Sequence, residues 1–158
     1  LCQQHQGLPK VRERSECSLM SLCVLDTDTT TLLLRGQLAV CDKAAAHDAA
    51  DLAITIVNVE EILTGWYTQI RRAKKDDHLE RAYAALQEAV EFVARVRILP
   101  FNREAIQKFR SLKSAKPRTG TNDLKIAAIA LIQQATLVTG NLADFEDIPG
   151  LSVEDWSK

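Results

Sequence analysis

Residues 119–145 read TGTNDLKIAAIALIQQATLVTGNLADF. A short polar opening with Asp123 leads into a run that is apolar almost all round, the pattern of a helix packed on a sheet rather than turned to solvent. TLVT, 136–139, then reads as a strand. The loop beyond it, GNLADFEDIPG, carries Asn141 and Asp144. One carboxylate thus opens the helix, and polar groups wait just past the strand that the helix feeds.

Working outward, LCVL at 22–25 reads as a buried strand that ends abruptly in DTDTTT. A short helix is expected over 29–34 and a longer Ala-rich one over 38–51, which includes His47. ITIV, 54–57, is a second strand, after which Asn58 caps a helix running to Ala73. On that helix Val59, Ile62, Leu63, Trp66 and Ile70 share one face, while Glu61 and Gly65 lie together on the other. Asp76 or Asp77 caps a helix whose inward stripe is Leu79, Tyr83, Leu86, Val90 and Val93. VRILPF, 96–101, is a third strand, followed by a helix with Ile106, Phe109 and Leu112 inward, a loop over 113–121 and a helix over 123–134. LSVEDW forms the last strand. This alternation predicts an α/β fold of three layers, with helices on both faces of a mostly parallel sheet of about five strands.

The bulk numbers suit that architecture. A chain of 158 residues, 46% hydrophobic and 26% charged, is expected to form one globular domain. Strong apolar patterning starts after Met20, so residues 1–19 are expected to be an extension outside a domain covering 20–158. A net charge of −1 excludes a uniformly basic chain that coats nucleic acid, although a local patch would suffice. Cys2, Cys17, Cys23 and Cys41 form no C-x-x-C pair and show no zinc spacing with His5, His47 or His78, which reads as free cytosolic thiols. No apolar run approaches the roughly 18–20 residues of a membrane span.

In an open parallel sheet, ligands bind beyond the carboxyl ends of the strands, where the strand order reverses. Asp26 ends the first strand, Glu61 follows the second, and Asn141 and Asp144 follow the fourth. Asp123 joins them if its helix starts at that same edge. Carboxylates gathered there repel one another and must either hold protons or share a cation. Oxygen ligands suit a hard ion such as Mg²⁺ or Mn²⁺. Such an ion activates water and polarises a phosphodiester.

In order along the chain, these segments resemble the PIN domain family, and within it the VapC-type toxin ribonucleases. The family opens with an apolar strand and D-T-N, here VLDTD at 24–28. An E-L-x-x-G-like helix follows, here EILTG at 61–65, and then G-x-x-D-x-x-I-A-A, here GTNDLKIAA at 120–128. It closes with LVTGN, DF, IPGL and EDW, so the likeness spans roughly residues 21–156. Each piece alone is common; the four in order are not. The resemblance implies a PIN-like α/β/α fold and a Mg²⁺- or Mn²⁺-dependent endoribonuclease in which Asp26 and Asp123 bind the metal directly. Glu61 would bind it or orient the attacking water. The fourth position falls to Asn141 or to Asp144, three residues later. Asp28 replaces the Asn of D-T-N. The resemblance further implies a cytoplasmic toxin acting on RNA as a homodimer, or in a larger hetero-oligomer with an antitoxin that blocks the acidic cleft.

Taken singly, these acids have plainer readings. Asp26 would end a turn, Asp123 would stabilise a helix start, and Glu61 would be a solvated helix residue beside Glu60. Residues 95–118 hold eight Lys and Arg against Glu104, including Arg110, Lys113, Lys116 and Arg118. That run is either a solvated face or a phosphate-binding surface beside Asp123. Two non-nuclease readings are a binding module on the same fold and a receiver-like phosphoacceptor domain. The second lacks the Asp it needs at the end of VRILPFN.

Overall fold

A computed structural model describes residues 21–115 and 119–158. The expected extension, 1–19, and Lys116 and Arg118 of the basic run lie outside the described residues. The strands are β1 (Cys23–Leu25), β2 (Leu52–Thr55), β3 (Arg97–Leu99), β4 (Thr136–Val138) and β5 (Ser152–Glu154). The helices are α1 (Thr27–Leu34), α2 (Leu38–Ala45), α3 (Ile56–Arg72), α4 (Asp76–Val93), α5 (Arg103–Ala115), α6 (Thr121–Ile132) and α7 (Leu142–Phe145). The strands form one sheet in the order β3-β2-β1-β4-β5, and every pairing is parallel. The expected three-layer α/β/α architecture is therefore the one observed.

Strand alternation builds the two faces. Val24, Ala53 and Leu137 point to one side, where they pack with Leu124 and Ile126–Ala130 of α6 and with Ala105 and Leu112 of α5. Cys23, Leu25, Ile54 and Val138 point to the other, against Val40 and Ala44 of α2, Val59 of α3 and Trp156. Because α6 is wedged between the sheet and α5, it is buried on nearly every side, which accounts for its unbroken apolar run.

Several expected boundaries move, each for a local physical reason. Strand β2 ends at Thr55 and α3 begins at Ile56, so Asn58 lies inside the helix rather than capping it. Thr55 is the cap. Its hydroxyl accepts from the Asn58 N–H at 3.2 Å, while Asn58 Oδ1 accepts from the Thr55 N–H at 2.7 Å. This reciprocal box overrides the strand preference of Ile56 and Val57. The expected helix over 38–51 stops at Ala45 and resumes only as a single 3₁₀ turn, Ala49–Asp51. His47 sits between them, with its ring stacked on Trp156 at 5.0 Å. The loop expected at 113–121 is shorter, since α5 runs to Ala115 and α6 starts at Thr121. Lys75, not Asp76 or Asp77, is the N-cap of α4.

The stripe expected to face inward on α4 is corrected in part, since Val93 packs on the core with Leu25, Ile54 and Val138 but three other members do not face inward. Ala82 and Ala89 are buried against α3, whereas Leu79, Tyr83 and Val90 are 36%, 56% and 52% exposed. Small alanines let the two helices approach closely, and the larger apolar side chains are displaced outward.

Leu137, at the centre of the sheet, has no exposed surface, whereas Leu38 at the start of α2 is 77% exposed. Leu137→Ala should cost about 2–5 kcal/mol by urea unfolding, and Leu38→Ala should stay within about 0.5 kcal/mol.

Candidate active site

The strand order reverses between β1 and β4, which pair in register Val24 to Leu137 and Leu25 to Val138. Asp26 leaves β1 there. Its N–H donates to the Val138 carbonyl at 2.9 Å, so the residue is tied to both central strands. Its carboxylate caps α1, accepting from the Thr29 N–H at 2.6 Å, and the residue is only 7% exposed. Burial raises its carboxyl above the ordinary value, against the opposing hydrogen bonds from Thr139 and Thr29. The turn acid of the plainer reading is thus also a buried group at the sheet's carboxyl edge.

Asp26, Thr27, Asp28, Glu61 and Asp123 line one pocket of about 320 Å³. The three acids expected to converge do so, and Asp28 joins them from the first turn of α1. Glu60, its rival in sequence, is exposed and does not line this pocket. Asp123 is the third residue of α6, behind Gly120 as the N-cap, rather than the helix's first residue. An added Cβ at Gly120 would stand 2.5 Å from Asp123 Oδ2, so the glycine leaves room for this carboxylate. Asp123 titrates at about 6, raised first by burial and then by Glu61, Asp144, Asp26 and Asp28. Asp144 therefore acts on the site electrostatically from the first turn of α7, beyond the acids that line the pocket. Asn141 precedes that helix and donates through Nδ2 to an Asp144 oxygen, so the two candidates for the fourth position are joined to each other.

Glu61 is held by groups that sequence reasoning passed over. The Thr27 hydroxyl donates to Oε2, and Asn122 Nδ2 donates to Oε1 at 2.8 Å. Thr27 is held in turn by Asn58 Nδ2 at 2.9 Å, and Lys125 Nζ donates to Asn122 Oδ1 at 3.0 Å. Asn58 is fully buried and both ends of its amide are used. A polar residue one turn into an otherwise apolar helix face was the available signal, but its capping role explained it too readily. An added Cβ at Gly65 would meet nothing within 4 Å, so close helix packing does not explain that glycine. Of the basic run, Arg110 and Lys113 are exposed on α5, and Lys113 Nζ lies 5.7 Å from the Phe109 ring centre.

The donor set at this pocket is entirely oxygen, which suits a hard divalent ion. Among the described residues, no three Asp, Glu, His or Cys side chains cluster tightly enough to enclose an ion alone. A fit here therefore uses one or two carboxylates with water in the remaining positions, as Mg²⁺ commonly does. Cys23 does not compete, since burial, followed by Glu154 and Asp51, pushes its thiol up to about 11.

Burial and mutual repulsion together make a stability prediction. The folded value for Asp123, about 6, lies above the unfolded value of about 3.9. Its contribution is fully present below that unfolded value and is lost as pH rises through the folded one. Asp123→Asn removes the charge, so the variant without added metal should be more stable than the parent at pH 8. The gain should be about 1 kcal/mol after allowance for solvent screening, or about 2–4 °C in Tm. It should vanish at pH 4, and thermal melts in chelator at the two pH values check this.

Comparison with known proteins places this geometry in a family. The PIN domain model matches residues 23–151. A ribonuclease VapC2 from Rickettsia felis is 35% identical over 71 residues, covering 42% of this chain and 53% of its own length. The tRNA(fMet)-specific endonuclease VapC of Salmonella typhimurium is 26% identical over 137 residues, 84% of this chain and 96% of its own. The structure of VapBC2 from Rickettsia felis bound to a promoter DNA fragment superposes with a TM-score of 0.68 at 25% identity, covering 85% of this chain and 98% of that one. A strand order that reverses between β1 and β4, with three acids at the reversal, and a model match across nearly the whole described fold place this chain in the PIN domain family, in the neighbourhood of its VapC-type ribonucleases.

Proposed function

We propose that this chain is a divalent-metal-dependent endoribonuclease that hydrolyses RNA phosphodiester bonds as the toxin of a toxin–antitoxin pair. The observation that carries the reading is the convergence of Asp26, Glu61 and Asp123 on one pocket, where burial first and the neighbouring acids second raise Asp123 to about 6. Asp26 and Asp123 would hold Mg²⁺ or Mn²⁺. Bound there, the ion would supply charge neutralisation, polarisation of the phosphate and a water of lowered pKa. Glu61 has both oxygens engaged by Thr27 and Asn122, which suits a base held still to orient the attacking water and take its proton. Asp26, tied to β1 and β4 through its backbone, has little freedom to leave the site. Asp144, joined to Asn141, adds charge from the outer edge, and Asp28 does so from α1.

The partners follow from the same reading. An antitoxin would cross the acidic cleft and neutralise it with a basic side chain, and relatives with VapB–VapC complexes in their structures support such a partner. A homodimer would cover apolar surface, for which the exposed Leu79, Tyr83 and Val90 of α4 are candidates. Arg110 and Lys113, with Lys116 and Arg118 further along, would contact RNA phosphates. Among the described residues no helix is long and apolar enough to cross a membrane.

Purified, antitoxin-free chain should cut a mixed pool of structured RNAs with Mg²⁺ or Mn²⁺ and not with chelator. Asp26→Asn and Asp123→Asn should each lose at least about 100-fold in rate, and Asn122→Ala about 10- to 100-fold through the loosened Glu61. Gel-resolved cleavage of end-labelled RNA measures all three. A well-folded chain that neither cuts RNA nor binds a divalent ion would instead be a non-catalytic PIN-fold binding module.

A further inference from the structure

A groove leaves the carboxylate pocket along α3. Thr27 and Glu61 line both, so the two adjoin at the hydrogen-bonded Thr27–Glu61 pair. The groove, about 520 Å³, passes between α1, α3 and α4 over Ile62, Gly65 and Trp66. It then opens into a second section of about 440 Å³, which shares Trp66, Gln69 and Ala85 and ends at Arg72, His78 and Arg81. Of the described residues lining this far section, none is acidic. Charge thus changes sign along one path, from carboxylates through an indole to guanidinium groups.

We propose that this path carries the single-stranded RNA flanking the scissile phosphate, with a base stacked on Trp66 and phosphates on Arg72 and Arg81. The proposal rests on the ribonuclease reading and adds the direction in which the strand leaves the site. Along the axis of α3, Trp66 is about 7.5 Å beyond Glu61 and Arg72 about 16.5 Å beyond it, at about 1.5 Å of rise per residue. These spacings put the indole near the nucleotide next to the cleavage site and the guanidinium further along the same strand. A side chain at Gly65 would meet nothing within 4 Å, so the helix surface next to Trp66 is open at that position. Arg81 is anchored through Nε to the Asp77 carbonyl at 3.0 Å, which leaves its terminal amino groups as the ones a phosphate would engage. The middle section is lined by Arg35 together with Glu61 and Glu88, so the positive end of the path begins beyond it. An aromatic face followed by cations is the usual equipment for gripping a single strand without reading its sequence.

The test separates stacking from fold. Trp66→Ala should raise KM for a short single-stranded RNA about 5- to 150-fold with kcat little changed, and Trp66→Phe should restore most of the loss. Arg72→Ala and Arg81→Ala should each flatten the dependence of log KM on log salt by about 0.7. The chain has two tryptophans, and Trp156 is buried at 2% exposure, so Trp66 reports the groove. In an Asp123→Asn background with Mg²⁺, the same RNA should quench indole fluorescence, and the added change Trp66→Phe should abolish that quenching. RNA cleavage with an unchanged KM in Trp66→Ala, or RNA binding without quenching, overturns this proposal and leaves the ribonuclease reading intact. Quenching by a co-purified protein partner but never by RNA also overturns it, assigning the groove to a peptide. A parent chain that neither cuts nor binds RNA defeats both.

Discussion

The site depends on the parallel pairing of β1 with β4. Asp26 ends one strand and donates its N–H to the last carbonyl of the other, and the chain order reverses at that seam. Helices leaving the two sides of such a reversal diverge and open a crevice. Into it come α1 and α3 from one side and α6 from the other, each bringing an acid in or near its first two turns. A slip of β4 by one residue would exchange Leu137 and Val138 between the two cores and move the seam away from Asp26.

Gathering carboxylates works against folding, and the rest of the domain absorbs that cost. Burial and four neighbouring acids hold Asp123 near pH 6, while α6 behind it is buried along its length between sheet and α5. Most of the helix is given to packing and only its first turn to charge. Asp26 is likewise destabilised as an anion by burial, and the hydrogen bonds of Thr29 and Thr139 offset part of the effect. This opposition between local electrostatics and global packing is what the proposed cation would relieve.

Uncharged groups then give the carboxylates their positions. The path from Thr55 through Asn58, Thr27, Glu61 and Asn122 to Lys125 joins β2, α3, α1 and α6 in one chain of hydrogen bonds. Among the described residues no buried side-chain nitrogen or oxygen lacks a partner. A fully satisfied network of this kind fixes its members more sharply than apolar packing would.

The sequence by itself determined the strand–helix alternation, the order of the acids and the apolar character of α6, because hydrophobic period and short motifs are local properties. It also marked Asp26, Glu61 and Asp123, whose neighbours along the chain follow the family's pattern. The start of α3 was misread because β-branched Ile56 and Val57 look like strand until the Thr55–Asn58 box is seen. The stripe on α4 was misread because periodicity identifies an apolar face without saying whether alanine or leucine meets the neighbour. The part that Thr27, Asn58 and Asn122 play in holding Glu61 could be recognised only in three dimensions. Asn58 and Thr27 are 31 residues apart, and Glu61 and Asn122 are 61 apart, so each bond exists only because the sheet brings distant segments to one edge. Tertiary structure likewise decided that Trp66 faces a groove leading from the carboxylates to Arg72 and Arg81, since the packing of α3 on α4 and α1 sets which side of an amphipathic helix is left open.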